Sequence, residues 1–283
     1  MPVRARLFLW TALFLCLAGQ APAETVPPPA TPEGVLSFAQ ALLRSGESFR
    51  AVTEYLRFLH HYPDHPEVPT AVEGLGSAYA QAGRWDEAVS AFFRLSELAP
   101  GDRSRRMLGS ALYRARRYPE SAQVLLGSGP READSTLGTL AALRAGAPDP
   151  LPRSARADVA DEYRGLEKKS PALAGTLSAA LPGAGHLYAD RPRDAAVSFV
   201  VNGLFLWGTY EAVRKEEWAL AGVLGLFELG WYTGNIVSAV NAAHKWNQRE
   251  EGRFFERWEA GALPQWGLVL APSAAGVALA WRW

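Results

Sequence analysis

Apolar positions along residues 33–165 recur in short helical stretches that pair two by two, with a self-similarity of about 34 residues. In the second pair, Leu75, Gly76 and Tyr79 fall on one predicted helix and Ala88, Phe92 and Leu95 on the next. Gly83-Arg84 separates them, and Pro100 closes the unit because it cannot continue a helix. The same frame fits residues 102–128 through Leu108-Gly109, Leu112, Tyr118, Ser121 and Leu125. It fits residues 32–65 through Phe38-Ala39, Leu42, Gly46, Ala51, Tyr55, Phe58 and Pro63. A fourth pair is expected at 132–145 and 155–168, joined by the loop Ala145-Gly146-Ala147-Pro148-Asp149-Pro150.

After residue 170 the pattern changes. Ala195–Val213 and Trp218–Ala243 are near-continuous apolar runs, split by Arg214-Lys215-Glu216-Glu217. Residues 195–212 make about 27 Å of helix, against a hydrocarbon core of about 30 Å. The runs predict a two-helix membrane hairpin, a buried soluble hairpin being the alternative. Residues 244–260 alternate Trp246, Phe254, Phe255 and Trp258 with Lys245, Arg249, Arg253 and Arg257, which predicts an amphipathic helix at the membrane interface. Residues 263–283 are expected to form a β-hairpin. Val277, Leu279, Trp281 and Trp283 alternate with small or polar residues after the turn Pro272–Gly276. A third transmembrane helix over 264–280 is the competing expectation.

The N-terminus is an address. Arg4 and Arg6 precede an apolar stretch from Leu7 to Leu17, and Ala21-Pro22-Ala23 supplies a small-residue cleavage site. Residues 1–23 are expected to be a signal peptide, with an uncleaved anchor as the alternative. Residues 24–33, with Pro27-Pro28-Pro29, are expected to be a stiff linker.

Charge and cysteine content narrow the chemistry. Lys+Arg and Asp+Glu each number 29, so the formal charge is zero. That argues against nucleic acid as a partner, since phosphate neutralisation drives such binding. The one cysteine, Cys16, lies inside the expected signal peptide. Disulfides, thiol nucleophiles and cysteine-ligated metals are therefore not expected. His60, His61 and His65 straddle Pro63 and cannot share a helical face, so no metal site is expected there. No nucleophile–base–orienter set appears, so the reading is non-enzymatic and without cofactors.

The motif Leu75-Gly76-x-x-Tyr79 … Ala88-x-x-x-Phe92 … Pro100 resembles the tetratricopeptide repeat, over about 100 residues in all. The resemblance implies a helical-hairpin solenoid over 34–168 whose concave face binds a protein or peptide. Its groove positions would include Gln40, Arg44, Glu73, Gln81, Arg103, Arg106 and Arg114. Arginine suits bidentate contacts to carboxylates, so an acidic or C-terminal-carboxylate ligand is expected, solvated surface charge being the bland alternative.

Ser170 to about Asn247 resembles a bacterial membrane-domain family with the pattern P-G-x-G-x-x-Y followed by two transmembrane helices. The pattern is carried here by Pro182, Gly183, Gly185, His186 in an x position, and Tyr188. A related group fuses this domain to exported tetratricopeptide repeats. The resemblance implies an integral envelope protein. On the second run Glu228, Tyr232, Asn235, Ser238, Asn241 and His244 share one face, and Asn202 on the first run is their natural partner. Either these side chains lock the hairpin to the P-G-A-G segment, or Glu228, Asn235 and His186 line a lipid or proton site. Gly230-x-x-x-Gly234 suggests close helix approach.

The sequence thus predicts a mainly α chain: repeat solenoid, membrane domain at 170–260, short C-terminal β-hairpin. Its expected role is a membrane-anchored adaptor of the bacterial cell envelope, repeats facing the periplasm, more plausibly at the inner membrane. An intramembrane lipid-handling or protein-assembly factor is the alternative. Export puts Arg191, Arg193, Lys245 and Arg249 on the outer side and Arg214 and Lys215 inside, which conflicts with the positive-inside rule.

Overall fold

The structure, a computed structural model, describes residues 31–127, 132–147, 151–264, 269–273 and 276–280. The expected signal peptide and most of the linker lie outside the described residues. The linker ends sooner than expected: Pro32 and Glu33 already belong to helix α1 (Pro32–Arg44). Proline is tolerated there because a first-turn N–H has no intrahelical partner. Thr31 caps the helix by accepting from the Gly34 N–H at 3.2 Å.

The chain divides into two compact units. The first holds α1, α2 (Ser48–His61), α3 (Val68–Gln81) and α4 (Trp85–Leu98), each packed on its sequence neighbour. Apolar residues at helical spacing fill the core, with Ala39, Tyr55, Phe58, Val72 and Phe92 all but inaccessible to solvent. The glycines of the repeat motif have a steric cause. A Cβ on Gly74 would meet the Tyr55 ring, and one on Gly76 the Phe92 ring. The same unit includes a strand pair, β1 (Val269–Ser273) antiparallel to β2 (Gly276–Ala280), Val269 opposite Ala280 and Ser273 opposite Gly276. The remainder of the expected 263–283 hairpin beyond Pro264 lies outside the described residues.

The second unit contains α5 (Asp102–Arg114), α6 (Tyr118–Leu126), α7 (Glu132–Arg144), α8 (Ala157–Arg164), α9 (Pro171–Ala180), α10 (Ala184–Tyr188), α11 (Pro192–Arg214) and α12 (Trp218–Ala262). Helices α5 and α6 repeat the earlier packing, with Leu125 lying on Gly109. Helix–helix turns at Gly46, Gly83 and Gly146 all adopt positive φ, and the third-repeat equivalent is Arg116, at φ 61°.

The expected boundary between residues 243 and 244 does not exist. Helix α12 runs unbroken for 45 residues, about 67 Å. No proline interrupts it until Pro264, and Leu263 before that proline turns extended, as a pre-proline residue prefers. The interfacial reading of 244–260 is also corrected. Phe254 and Phe255 are buried in a core with Tyr113, Leu125, Leu137, Leu140 and Val159, and Trp258 packs against it. The amphipathic pattern was real, but its apolar face is covered by α7 and α8 rather than by lipid.

Candidate functional site

Two candidate sites were expected, and the structure treats them differently. In the first unit, Gln40 and Glu73 are half-buried and Arg44 is exposed. Arg44 and Glu73 come together around Tyr55. Burial pushes that phenol well above its usual range, the Arg44 charge opposing and the Glu73 charge reinforcing. Gln81 is engaged internally: its Oε1 accepts from the Ser48 hydroxyl at 2.6 Å.

In the second unit Arg103 and Arg114 are exposed. Arg106 is not the free groove arginine expected. Its Nε donates to Asp134 Oδ1 at 2.7 Å, and Asp134 is only 1% exposed. Arg105 stands 3.8 Å from the other Asp134 oxygen and pairs with Asp102 at 2.9 Å. The third-repeat arginines therefore neutralise a buried carboxylate of α7, as an uncompensated buried charge requires. Asp134 gives no sequence signal, being one acidic residue near a helix start.

Sequence reasoning also missed the network that ties α12 to the repeats. Glu259 Oε1 accepts from the Tyr113 hydroxyl at 2.5 Å and from Arg144 Nη2 at 2.6 Å. The Arg144 guanidinium carbon also lies 4.0 Å from the Phe255 ring centroid. Burial pulls the Arg144 guanidinium down, and the hydrogen bonds and charges of Glu259 and Tyr113 outweigh it.

The P-G-x-G-x-x-Y pattern resolves into packing. Gly183 sits at φ 90°, and a Cβ there would strike the Ala195 carbonyl; one on Gly185 would strike the Ala174 carbonyl. Pro182 enters this turn, and Tyr188 anchors it. The Tyr188 hydroxyl accepts from the Ser170 N–H at 2.9 Å, and its carbonyl accepts from Lys169 Nζ at 2.7 Å. His186, 2% exposed, has Nε2 3.0 Å from Ser238 Oγ on α12. The Tyr232 hydroxyl donates to the Ala179 carbonyl at 2.7 Å. Asn247 clamps the Lys169 backbone from both sides, accepting at 2.8 Å and donating at 2.9 Å.

The expected polar stripe splits. Asn202, Glu228 and Asn235 are buried at the α11–α12 hairpin, whereas Asn241 and His244 are exposed. Asn202 Nδ2 donates to the Ser198 carbonyl at 2.6 Å. Its Oδ1, both Glu228 oxygens and both Asn235 amide atoms have no hydrogen-bond partner among the described residues. Gly230 and Gly234 are not at a helix contact as expected. A Cβ on either meets nothing within 4 Å, and both open onto a groove of about 640 Å³.

Around this seam the hairpin bares large apolar side chains to the outside: Phe199, Leu204 and Trp207 on α11, Trp218, Leu226 and Phe227 on α12. By length and composition α11 alone is long and apolar enough to cross a membrane, among the described residues. The expectation that α12 also qualifies is corrected, since Glu228, Asn235, Asn241 and four glycines dilute its apolar half.

Residues 36–103 match the tetratricopeptide repeat. Repeats of this kind mediate protein–protein interaction and are typically non-catalytic modules. No curated protein matches the chain.

Proposed function

We propose that the chain is a membrane-anchored adaptor of a bacterial envelope: its repeats take a protein or peptide partner on the exported side, and the α11–α12 hairpin holds them on the bilayer. One observation carries this reading. The hairpin exposes its largest apolar side chains on both helices, and contiguous apolar surface of that extent marks a membrane or partner contact. The dimensions agree for α11, whose 23 residues make about 34 Å of helix, against a hydrocarbon core of about 30 Å.

Within the first unit the candidate partner surface is Arg44 and Glu73 beside Tyr55, and within the second, taken by itself, it is the exposed Arg103 and Arg114. This charge pattern favours a ligand bearing a carboxylate. The test is alkaline extraction of membranes holding the full chain, with a photo-crosslinker placed at Arg44 or Arg114. The chain stays in the membrane pellet, and the protein adduct formed from position 114 disappears on Arg103→Glu. A full chain that is soluble without detergent and stays off vesicles overturns the anchored reading.

The second reading, an intramembrane polar site, is favoured by the unpaired Glu228 carboxylate and Asn235 amide. In the P-G-A-G-H segment the glycines are engaged in packing and His186 Nε2 meets Ser238, while His186 Nδ1 is buried without a hydrogen-bond partner among the described residues. Glu228→Gln preserves shape and removes the charge. Loss of cellular function with undiminished protein level would favour this reading over the adaptor.

A further inference from the structure

The face of α12 that carries Gly230 and Gly234 also borders a second, separate cleft. On α12 the positions 227, 230, 234, 238, 241, 245 and 248–249 step by three or four residues and so lie on one helical face. Its lower part, with Leu226, Phe227 and Trp231 beside the two glycines, forms the groove of about 640 Å³ that Ser198 of α11 borders. Its upper part enters a second cleft of about 430 Å³ lined by Arg191, Lys245, Gln248 and Arg249. Both clefts therefore have one α12 face as floor, with Arg191 and Ser198 at the α11 side.

The chemistry along this path is polarised. At the upper end the cleft is lined by three cationic side chains, one of which, Arg191, pairs with Asp194 at 2.5 Å. Arg249 spends its Nε on the Lys245 carbonyl at 3.3 Å, which leaves its terminal nitrogens for another acceptor. At the lower end the walls are glycine, leucine and aromatic rings; the Asn235 amide at the floor belongs to the polar seam with Glu228 and Asn202. We propose that the path holds one glycerophospholipid, its phosphate among Arg191, Lys245 and Arg249 and one acyl chain laid along Gly234 and Gly230.

The proposal rests on the anchored reading and deepens it. Lengths support it: Lys245 to Gly230 is 15 residues, about 22 Å, and half of a bilayer from headgroup to midplane is about 20–22 Å. Arginine and lysine together suit a phosphate oxygen cluster. The absence of any Cβ at 230 and 234 keeps the groove open, and filling it there disturbs no packed neighbour. The site also gives Arg191, Lys245 and Arg249 a reason to lie on the exported side despite the positive-inside rule.

The experiment uses the full chain extracted from membranes in mild detergent and examined by native mass spectrometry, with phosphatidylglycerol of 16- and 18-carbon chains as the probe. The wild type retains one phospholipid per chain. Lys245→Glu with Arg249→Glu lowers retention about tenfold or more, the order expected for losing charge-assisted hydrogen bonds. Gly234→Leu, which leaves the charges intact, lowers it to a similar degree. Equal retention in either variant overturns the site. So does equal occupancy by inorganic phosphate alone, which would make it a free-anion site, or capture of a polypeptide by a photo-crosslinker at 234, which would make it a helix-docking groove. Alkaline extraction run in parallel separates the two levels. A chain that leaves the membrane defeats the anchored reading, and one that stays while retaining no phospholipid defeats the lipid site only.

Discussion

Replacing Phe254 by alanine tests whether the end of α12 belongs to the repeat core. Phe254 is fully buried, its ring 5.3 Å from Tyr163 and 5.2 Å from Phe255. It sits among side chains contributed by α5, α6, α7 and α8. Truncating a buried phenylalanine costs about 3–5 kcal/mol through lost transfer energy and the cavity left behind. A domain is stable by about 5–15 kcal/mol in all, so the loss is a large share. A chain of two compact units does not have to unfold in one step, and a single melting temperature would not read this term. Hydrogen exchange does, because local opening sets the rate of the slowest amides. In Phe254→Ala the protected amides of α7 exchange about a hundredfold faster or more, from about 1.4 kcal/mol per tenfold. Arg253→Ala, one residue away but exposed, leaves them within a factor of two or so, as surface substitutions do. If 244–260 instead lay on the bilayer, Phe254→Ala would weaken vesicle binding and leave α7 unchanged. That result would refute the reasoning.

Arg116 holds the left-handed turn conformation that glycine supplies in the other repeats, a conformation that costs a side-chain-bearing residue about 1–2 kcal/mol. Arg116→Gly is therefore expected to stabilise the α5–α6 pair by about 0.5–1 kcal/mol, part of the gain being offset by glycine's entropy; slower exchange of α6 amides checks it, and faster exchange counts against it. Gly185→Ala drives a methyl into the Ala174 carbonyl and is expected to loosen α9 from α10, a loss of about 1–3 kcal/mol typical of overpacking. Faster tryptic cleavage after Lys169, just ahead of α9, reports it. Gly230→Ala, with open space around it, is the matched control and is expected to be neutral or mildly stabilising. Equal behaviour of the two variants would sink the packing account of the P-G-x-G-x-x-Y pattern.

The repeats were legible because their signal is local. Gly76 and Phe92, or Gly109 and Leu125, meet across one turn, so spacing alone reports the contact. The hairpin turn at 215–217 was legible for the same reason. What the sequence hid is non-local. Phe254 and Phe255 look the same whether their apolar face meets lipid or α7, because periodicity records that a face is apolar and not what covers it. Asp134 illustrates the converse. An arginine reads as surface charge until the fold brings a buried carboxylate to it, and nothing in the sequence near Arg106 marks that partner, 28 residues on. The glycines of 230 and 234 misled in a third way. Small residues are expected at helix contacts, but here they face outward, and the helices meet through Asn202, Ala212, Ala221 and Glu228, all buried.

The continuity of α12 bears most on what the protein does. A hinge between residues 243 and 244 would let the repeats drift on a flexible tether, as an anchor requires nothing more. Instead one helix is held at several points along its length. Near its middle Ser238 meets His186 and Tyr232 reaches the Ala179 carbonyl. Further along, Asn247 clamps the Lys169 backbone, and at its far end Glu259 joins Tyr113 and Arg144. Straight helices bend sharply only at proline, glycine/serine pairs or a bulge, and between Asn241 and Phe254 there is no proline and Gly252 is the single glycine or serine. The third and fourth helix pairs are thus held at a set height and angle to the hairpin. A continuous α12 thus links the Tyr113–Arg144–Glu259 contact to the hairpin without a hinge between them.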